Sequence, residues 1–499
     1  MVRKFKATIL KIALGIEILQ KHFTMGKHLL TIITLILFSI VGMQGQGVSI
    51  NEVMPCNIST QINTDNYNFS GYIELFNGGE KSVNLKGMVL THFKKKGNGE
   101  LELKWQWKID SDLIVDELEQ FKLIWMDESD KMGHSPYKLD ADGGYLTLYD
   151  GTTLIDSFAY EKGDAHISYG RYNGSVGYMS PSPLRENSLV VKNLTTNNRC
   201  SAPQFSQKPG VLSDSIYFSI TTTTSNSSIY YTLDGSEPTD TSGNIYSEAL
   251  YINKNTILRA RSYKNGMLPS KITTGTYLFT EEARAECGGF SIPIVSLTTN
   301  DEYLNDPMIG ILVTGKNGIM GEKDCNFQKA NYNQDWKRAI NFEYIVNNEQ
   351  VLSQEVEAAV EGGCSRSNSI KSLSLKASKK TGEEDFSYHI FNSKPDVFHR
   401  TLHLRNGGQG FDRVRFGDGL MQTFAIGLNI DYQAYQPVAY YLNGEYMGLM
   451  GLRERTNADY VKSNYGYDDK IVYGELFNEC WNITAREQDL CLFIRVPVS

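Results

Sequence analysis

The sequence predicts a multi-domain protein in which two all-β sandwiches are followed by an α+β domain. The chain has 499 residues, which is room for about three domains at roughly 150 residues each. Its 29 Tyr, 22 Phe and 44 Gly, together with repeated polar turns, favour mostly β structure. Period-two stretches occur in the first two sections, whereas the last section mixes short apolar strands with one helical pattern.

The N-terminal 46 residues predict a secretory signal peptide. The stretch "LLTIITLILFSIV" (29–41) is apolar throughout, but it is shorter than the roughly 20 residues that span a bilayer. Lys27 precedes it, and small polar residues follow it, so cleavage is expected near residues 44–47. A buried strand or helix is the other interpretation, and Met25 is an alternative start. We therefore expect a secreted, periplasmic or cell-surface protein without a transmembrane anchor.

Charge and cysteine spacing exclude two classes of protein. The whole chain has a net charge of −8, with 49 basic and 57 acidic residues. Six of the basic and one of the acidic residues precede residue 47, which leaves 43 basic and 56 acidic residues, a net −13. Phosphate backbones repel such a chain, so nucleic acid is not an expected partner. The seven Cys are far apart without a CxxC pair, so neither a zinc site nor a disulfide scaffold is expected.

Residues 48–185 predict an antiparallel β section. In "LELKWQWKI" (101–109), apolar and polar residues alternate, which is typical of a half-buried strand. "GYLTLYDGTTLIDSFAY" (144–160) predicts two strands around an Asp-Gly turn. These patterns favour a sandwich.

Several stretches of this section resemble the lamin-tail domain, an immunoglobulin-like β fold. They are "INEV", "YIELFN", "VNLKGMVL" and "SYGRYNG", in this order. The resemblance implies an immunoglobulin-like sandwich over residues 48–185. Glu52 and Glu74 invite a metal or catalytic role, but polar residues on the solvated side of edge strands are the favoured interpretation.

Residues 202–279 predict a second β unit. "IYYTLDGSEPT" (229–239) reads as a strand running into an Asp-Gly turn of the kind that a tight hairpin needs. Its Tyr-Thr-x-Asp-Gly-x-x-Pro pattern resembles the small sandwich appended to chitobiase and hexosaminidase-type enzymes. Tyr230 or Tyr231 could bind sugar, although packed tyrosines in a spacer module are the favoured interpretation.

After a predicted linker at 280–289, residues 290–475 predict the α+β domain. "IPIVSL" (292–297) and "GILVTG" (310–315) are expected to be strands, and "PVAYYLNGEYMGLMGLRE" (437–454) a hairpin around an Asn-Gly turn. "DGLMQTFAIGL" (418–428) predicts a helix. Its Leu420, Phe424 and Leu428 are expected to pack inward and its Asp418 to cap the N-terminus.

"GGCSRSNSIKSLSLK" (362–376) has a glycine pair and a Lys-Ser, but it is not a P-loop, because Ile370 rather than Gly precedes Lys371. In a strand starting here, Lys371, Leu373 and Leu375 share one face. A lysine on an apolar face needs a partner or a ligand for its charge. Alternatively, its stem packs while the ammonium reaches water.

The last section resembles the spore-coat protein H (CotH) kinase family, an atypical group of secreted, ATP-using kinase-like proteins. The stretches that carry the resemblance include "IPIVSLTTND", "GGCSRSNSIKSLSLKA", "LHLRNGGQGFDRVR" and "YYLNGEYMGLMGLRERTNADYV". The resemblance implies an atypical kinase-like fold, ATP and Mg²⁺ as cofactors and a protein as substrate. It implies that Lys371 binds nucleotide phosphates and that Arg366 is a second cation.

Two acids complete the nucleotide-binding residues that the resemblance implies. Asp412 is the nearest acid in a suitable place, and Glu454 is positioned to line the nucleotide pocket. Asp412 could instead cap the following helix or pair with Arg415. Glu454 could instead pair with Arg453 or Arg455. The catalytic residues are unknown, and no metal-ligating residue is assigned.

The resemblance weakens after residue 476. The family's later Trp-Asp-x-Asp stretch has no counterpart, and residues 476–499 form an atypical tail. We hypothesise a truncated or frame-shifted product, so that only the N-terminal part of the kinase-like domain is present and phosphorylation by this chain is in doubt. The alternative function is a non-catalytic surface adhesion protein that binds a protein, a cell-surface component or a glycan through residues 48–280.

Overall fold

The computed structural model describes residues 47–466 apart from 98, 281–291, 322–324, 395–397 and 429. The predicted signal peptide, most of the predicted linker and the atypical tail therefore lie outside the described residues. The described chain is mostly β-strand with few helices, in agreement with the sequence-based prediction.

The first section consists of two packed sheets, antiparallel except for the parallel pair β7–β8, and a short separate pair, β3–β6. Its strands are β1 (Val48–Met54), β2 (Gly71–Asn77), β3 (Val83–Asn84), β4 (Val89–Lys95), β5 (Leu101–Lys108), β6 (Ile114–Val115), β7 (Phe121–Met126), β8 (His134–Ser135), β9 (Gly144–Asp150), β10 (Thr153–Tyr160), β11 (Ser168–Tyr172) and β12 (Ser175–Met179). One sheet has the order β12-β11-β1-β2-β7-β8 and the other β10-β9-β4-β5. Ile50 and Leu75 of the first sheet and Leu90 and Leu148 of the second belong to one buried cluster between them.

The hairpin predicted at 144–160 is confirmed, and the half-buried strand predicted at 101–109 is confirmed in part. β9 and β10 form the predicted hairpin, with Gly151 at the turn at a φ of 57°. In β5, Trp105 is buried, but Leu101 and Leu103 are 36% and 53% exposed. The predicted apolar face therefore starts at Trp105, because the first half of β5 extends past the core.

The second section has β13 (Gln204–Phe205), β14 (Gly210–Leu212), β15 (Ile216–Phe218), β16 (Ile220–Thr221), β17 (Ser228–Thr232), β18 (Asn244–Ile245), β19 (Leu250–Ile252), β20 (Thr256–Tyr263) and β21 (Thr273–Phe279). The tight hairpin predicted at Asp234-Gly235 is wrong. β17 pairs with β18 and β20, and a long segment separates it from β18. Gly235 has a φ of 83°, whereas the Asp234 carboxylate accepts the Ser236 N–H at 3.0 Å and makes a local side-chain turn.

The third section has β22 (Ile294–Thr298), α1 (Asp301–Asn305), β23 (Ile319–Met320), β24 (Lys329–Ala330), η1 (Asn331–Asn333), β25 (Arg338–Val346), β26 (Glu349–Glu361), η2 (Cys364–Ser367), β27 (Ser372–Lys376), β28 (Thr401–Arg405), η3 (Gly408–Gly410), α2 (Gly417–Thr423), β29 (Tyr435–Leu442), β30 (Glu445–Glu454) and α3 (Ala458–Tyr465). The η elements are 3₁₀-helices. The hairpin β29–β30 is confirmed, with positive φ at Asn443 and Gly444. Residues 310–315 do not form the predicted strand.

The second and third sections share one sheet, which the sequence did not predict. Its order is β18-β17-β20-β21-β14-β26-β25-β22-β29-β30-β28-β27, and β26 also pairs with β27. Gly210 of β14 pairs with Glu349 of β26, which joins the two sections. The candidate site lies where the chain enters β27, which pairs with β28 on one side and with β26 on the other, so that this part of the sheet closes on itself.

The helix prediction at 418–428 is correct for its first half and wrong for its packing. α2 ends at Thr423, and Phe416 rather than Asp418 is its N-cap residue. The side chains of Leu420, Phe424 and Leu428 are 42%, 65% and 59% exposed. Helical spacing identifies residues that share a face, but it does not identify what covers that face.

Candidate functional site

Lys371 lies where the sequence predicts it, on the apolar face at the entry to β27. Leu373 and Leu375 belong to the main core of the third section. Lys371 directly precedes them with the same period-two spacing, and it is only 8% exposed. The alternative interpretation, in which the Lys371 ammonium reaches water, is therefore wrong.

The Lys371 ammonium is held without a carboxylate. Its Nζ donates to the Asn368 carbonyl at 2.6 Å and lies 4.2 Å from the centroid of the Tyr332 ring. Within the described residues, no acidic side chain forms an ion pair with it. Burial lowers the pKa of Lys371 from 10.5 to about 8, because desolvation disfavours the charged form. Among the described residues, Lys371 is thus a buried cation without a counter-charge.

Arg366 holds the loop around Lys371. Its Nη1 donates to the Tyr332 carbonyl at 2.9 Å, and its Nε donates to the Gly362 carbonyl at 2.5 Å. Its Nη2 is 3.9 Å from the exposed carboxylate of Asp335. Arg366 and Lys371 thus converge on Tyr332 from the same loop, and most of the Arg366 guanidinium is engaged by backbone carbonyls.

A disulfide joins the same two segments, whereas the cysteine spacing had predicted no disulfide scaffold. Cys325 and Cys364 are 39 residues apart in sequence, and their Cα atoms are 5.1 Å apart. The loop that carries Cys325 and Tyr332 folds over η2, which carries Cys364 and Arg366. Sequence spacing missed the bond because the cysteines meet through this tertiary contact.

Asn406 is a positioning residue that the sequence analysis missed. It is fully buried, and its Nδ2 donates to the Ile370 carbonyl at 2.7 Å. Its backbone N–H donates to Ser372 Oγ at 3.0 Å. It therefore fixes the chain on both sides of Lys371. The glycines that follow it, Gly407 and Gly408, have φ of 89° and 57°, and this Asn-Gly-Gly was the available signal.

Glu454 is buried, but it is not beside Lys371. Leu402 of β28 pairs with both Glu454 and Leu375, so Glu454 lies level with a residue four positions beyond Lys371. At about 3.3 Å per residue, the offset along the strands is roughly 13 Å. Nucleotide contact by both residues would require a ligand that spans this offset.

The Glu454 carboxylate is already engaged. Its Oε2 accepts the Ala434 N–H at 2.8 Å and lies 3.5 Å from Lys394 Nζ. Its Oε1 accepts from Asn464 at 2.8 Å and is 3.6 Å from His399 Nδ1. The alternative pairing with Arg453 or Arg455 is wrong.

Those two arginines belong to the opposite face of the sheet, where other acids neutralise them. Arg453 and Arg405 share the Asp418 carboxylate at 2.7 and 2.5 Å. Arg455 pairs with Glu361 at 2.5 Å. Burial raises the pKa of Asp418, but the two arginines outweigh burial and bring it below its ordinary value. Asp418, which was predicted to cap the helix, therefore forms ion pairs with two arginines instead.

Asp412 is exposed in the loop between η3 and α2. Neither alternative for it occurs, because Phe416 is the N-cap residue of the helix and Arg415 donates its Nε–H to the Phe411 carbonyl at 2.9 Å. The loop follows Asn406 and so borders the Lys371 loop. Asp412 is therefore accessible to a ligand from solvent, without a described contact to Lys371.

Glu52 and Glu74 lie on central strands and are fully buried, so their placement on solvated edges was wrong. They pair directly across β1 and β2. Glu52 accepts from the Tyr72 hydroxyl at 2.6 Å, and Glu74 accepts from Asn51 Nδ2 at 2.8 Å. Burial raises the pKa of Glu74 to about 7. Residues 182–187 cover this pair, and the backbone N–H groups of Ser182 and Leu184 donate to the Glu52 and Glu74 carboxylates.

No cluster of three or more His, Cys, Asp or Glu side chains that could hold a metal ion occurs in the part of the chain that the structure describes. None of the helices described there is both long and apolar enough to cross a bilayer.

Two sequence families match parts of the chain. The family described as "CotH kinase protein" matches residues 358–480, a segment that contains Arg366, Lys371, Asp412 and Glu454. The family described as "Fn3 associated" matches residues 218–277. The lamin-tail and chitobiase-type likenesses stay predictions, the second within a section that the Fn3-associated family matches.

The search of curated proteins found no match. Among solved structures, murine CEACAM1b is similar to part of the chain, with 9% sequence identity and a TM-score of 0.14. The similarity covers 46% of this chain and 99% of that one.

Proposed function

We propose that this CotH-like, kinase-related protein is secreted or surface-located and binds ATP, with the Lys371 ammonium contacting the nucleotide phosphates. The match to the CotH kinase family over residues 358–480 supports this proposal. The lamin-tail-like and chitobiase-type sections then serve as extracellular β modules beside the nucleotide-binding domain.

The observation that carries the proposal is the uncompensated charge of Lys371. A buried ammonium is costly unless it is paired, and this one has only a carbonyl and an aromatic ring within the described residues. A pKa of about 8 keeps it mostly protonated at neutral pH. A phosphate group would supply the missing negative charge, and the charged form would then be favoured.

Arg366 acts mainly on the loop. Because backbone carbonyls engage its Nε and Nη1, we assign it the positioning of residues 362–371 around Tyr332. The predicted role as a second phosphate-binding cation applies to the Nη2 of Arg366, which lies 3.9 Å from the Asp335 carboxylate. We therefore assign Arg366 mainly a positioning role.

Mg²⁺, when it is bound with the nucleotide, neutralises charge on the phosphates. Asp412 is the acid that is free to approach it, because its carboxylate is exposed and the loop borders the Lys371 loop. The Glu454 carboxylate is engaged by four partners: Ala434, Asn464, Lys394 and His399. We therefore assign it a structural role at the end of the site that is farther from Lys371. Transfer of phosphate to a protein substrate rests on the CotH resemblance.

The test is a titration of the full chain with a fluorescent ATP analogue. Lys371→Met keeps an unbranched side chain over Tyr332 but removes the charge. We expect it to weaken binding roughly 10- to 100-fold, the value of a charged hydrogen bond. Lys376→Met is the matched control, since Lys376 is exposed and lies on the opposite face of the same strand. Equal weakening in both variants would refute the role of Lys371.

A further inference from the structure

A loop of the first section, residues 55–70 between β1 and β2, lies against the third section, and we call it the docking loop. Connecting loops usually lie exposed at the surface. This one is partly buried, since Asn57 and Asn63 are fully buried and Phe69 is only 6% exposed. Buried polar groups need partners, so hydrogen bonds must satisfy the loop where it is covered.

Side chains of the first section hold the docking loop in shape. Asn57 Nδ2 donates to the Ser70 carbonyl at 2.7 Å, which joins the two ends of the loop. Asp127, directly after β7, accepts from Asn63 Nδ2 at 3.2 Å and from Asn66 Nδ2 at 2.9 Å. The first section therefore presents this loop to the third section as an ordered surface.

The docking loop contacts the chain shortly after Tyr332. The Tyr67 ring lies 5.3 Å from the Trp336 ring, measured between centroids. The side-chain oxygen of Asn68 accepts the Lys337 N–H at 2.9 Å. Trp336 belongs to the same buried core as Tyr332. The first section thus holds the chain four and five positions after the residue that covers the Lys371 ammonium.

The Lys371 loop holds the other end of this stretch. Arg366 Nη1 donates to the Tyr332 carbonyl at 2.9 Å and to the Gln334 carbonyl at 3.4 Å. We call residues 332–337 the Tyr332 segment. Its six residues span at most about 20 Å when fully extended, so little slack chain separates its two attachments. A shift at the docking loop is therefore expected to reach the Tyr332 ring.

The docking loop also contacts the chain that follows β27. Lys380 Nζ donates to the Phe69 carbonyl at 3.0 Å and pairs with Glu357 of β26 at 2.8 Å. β27 begins directly after Lys371. The first section therefore contacts both the Tyr332 segment and the chain beyond the strand that Lys371 enters.

We propose that the docking loop positions the Tyr332 ring over Lys371, so that the first section is an integral part of the nucleotide site. The inference rests on the proposed function where it concerns ATP. Tyr67 and Asn68 are positioning residues, because they act through Trp336 and Lys337. An ammonium that is already held in place loses less freedom when phosphate binds. A partner that pulls the docking loop away from the third section would therefore weaken nucleotide binding.

The test measures the pKa of Lys371 in the nucleotide-free full chain from lysine Cε chemical shifts, and ATP affinity in parallel. The Tyr67→Asn/Asn68→Ala variant removes both contacts with the Tyr332 segment, and asparagine tolerates the φ of 55° at this position. If the Tyr332 ring moves away, water reaches the ammonium. The pKa of Lys371 should then rise from about 8 by at least one pH unit towards 10.5. ATP binding should weaken roughly 2- to 12-fold, the value of ordering one side chain.

Asp142→Asn is the matched control, because it removes a different ion pair between the two sections, with Lys379 at 2.6 Å. It should leave both measurements unchanged. Asn68→Ala alone removes one hydrogen bond and should raise the Lys371 pKa by less, and it replaces the double variant if that variant does not unfold cooperatively.

The proposal is overturned if the loop variant leaves the Lys371 pKa unchanged, or if Asp142→Asn raises it equally. It is also overturned if the loop variant binds ATP as tightly as the wild type does. A wild type that does not bind ATP refutes the proposed function instead, and the Lys371 pKa then decides whether the docking loop positions Tyr332.

Discussion

The Nζ of Lys371 lies 4.2 Å from the centre of the Tyr332 ring, a residue 39 positions earlier in the chain. The ring face supplies partial negative charge, and the Asn368 carbonyl supplies the one hydrogen bond of this ammonium that the structure shows. These are the contacts that the described residues offer this buried ammonium, and none of them is an acid. This relationship underlies the first two predictions.

Lys371→Met should make the protein more stable at pH 7 while it weakens ATP binding. The folded-state pKa is about 8, below the ordinary 10.5, so the unfolded chain binds a proton more tightly. The charge therefore costs stability below pH 8, and this cost disappears as pH rises to about 10.5. We expect the variant to be more stable by roughly 1–3 kcal/mol at pH 7, with the difference shrinking towards pH 10. Urea unfolding at both pH values measures it, and a less stable variant at pH 7 would contradict the account.

ATP affinity should fall only about twofold from pH 7 to 8 and more steeply above pH 8. Free Lys371 loses its proton above about pH 8, whereas bound phosphate raises its pKa, so binding above pH 8 requires uptake of a proton. Affinity should decline by up to tenfold per pH unit until the bound-state pKa is reached. The Lys371→Met variant should lack this decline. A wild-type profile that is flat to pH 9.5 would show that another group binds the phosphates.

Reduction of Cys325–Cys364 should weaken ATP binding. The bond holds the Tyr332 loop against η2, and its loss frees both sides of the site. For a loop of this length, the chain-entropy model gives about 4 kcal/mol for the disulfide. Titration with and without dithiothreitol measures the effect. The Cys325→Ser/Cys364→Ser variant is the control, since it should bind weakly and should not respond to the reductant. A wild type that is insensitive to reduction would show that the loop holds its place without the bond.

His166 should make the contact between the three sections pH-dependent. Its ring nitrogens lie 3.1 Å from Glu355 of the third section and 3.4 Å from Glu237 of the second, which also pairs with Arg261. Ser59 contacts the ring at 3.0 Å. Burial lowers the pKa of His166, but Glu355 and Glu237 outweigh burial and raise it above 6.5.

A raised pKa means that the stabilisation by His166 is complete below pH 6.5 and is lost as pH rises through the folded-state value. His166→Gln should therefore lower the melting temperature more at pH 5.5 than at pH 8.5. Differential scanning calorimetry measures this contrast. A larger effect at pH 8.5 would show that the ring is neutral in the folded protein.

The sequence predicted the local part of this site and missed the long-range part. Period-two spacing placed Lys371 with Leu373 and Leu375 because that pattern is local. Tyr332 and Cys325 could not be placed, because nothing local records that their loop folds over η2. The spacing of Leu420 and Phe424 defined a helix face correctly, but burial depends on a partner that spacing does not describe.

Glu52 and Glu74 show the same limit on the first sheet. Their place in β-strands was readable, but their strands are central and covered, and a single sequence does not give the order of strands in a sheet. Glu454 was expected at the nucleotide pocket by resemblance, and strand register instead sets it roughly 13 Å along the sheet from Lys371.

The most direct measurement of the central claim is the pKa of Lys371 with and without ATP. Lysine Cε chemical shifts, followed by NMR across pH 6–11 in ¹³C-labelled protein, report this pKa, and the missing signal of Lys371→Met assigns it. We expect a value near 8 without nucleotide and a value at least one pH unit higher when ATP saturates the protein. A Lys371 pKa that ATP leaves unchanged would contradict phosphate binding by this residue.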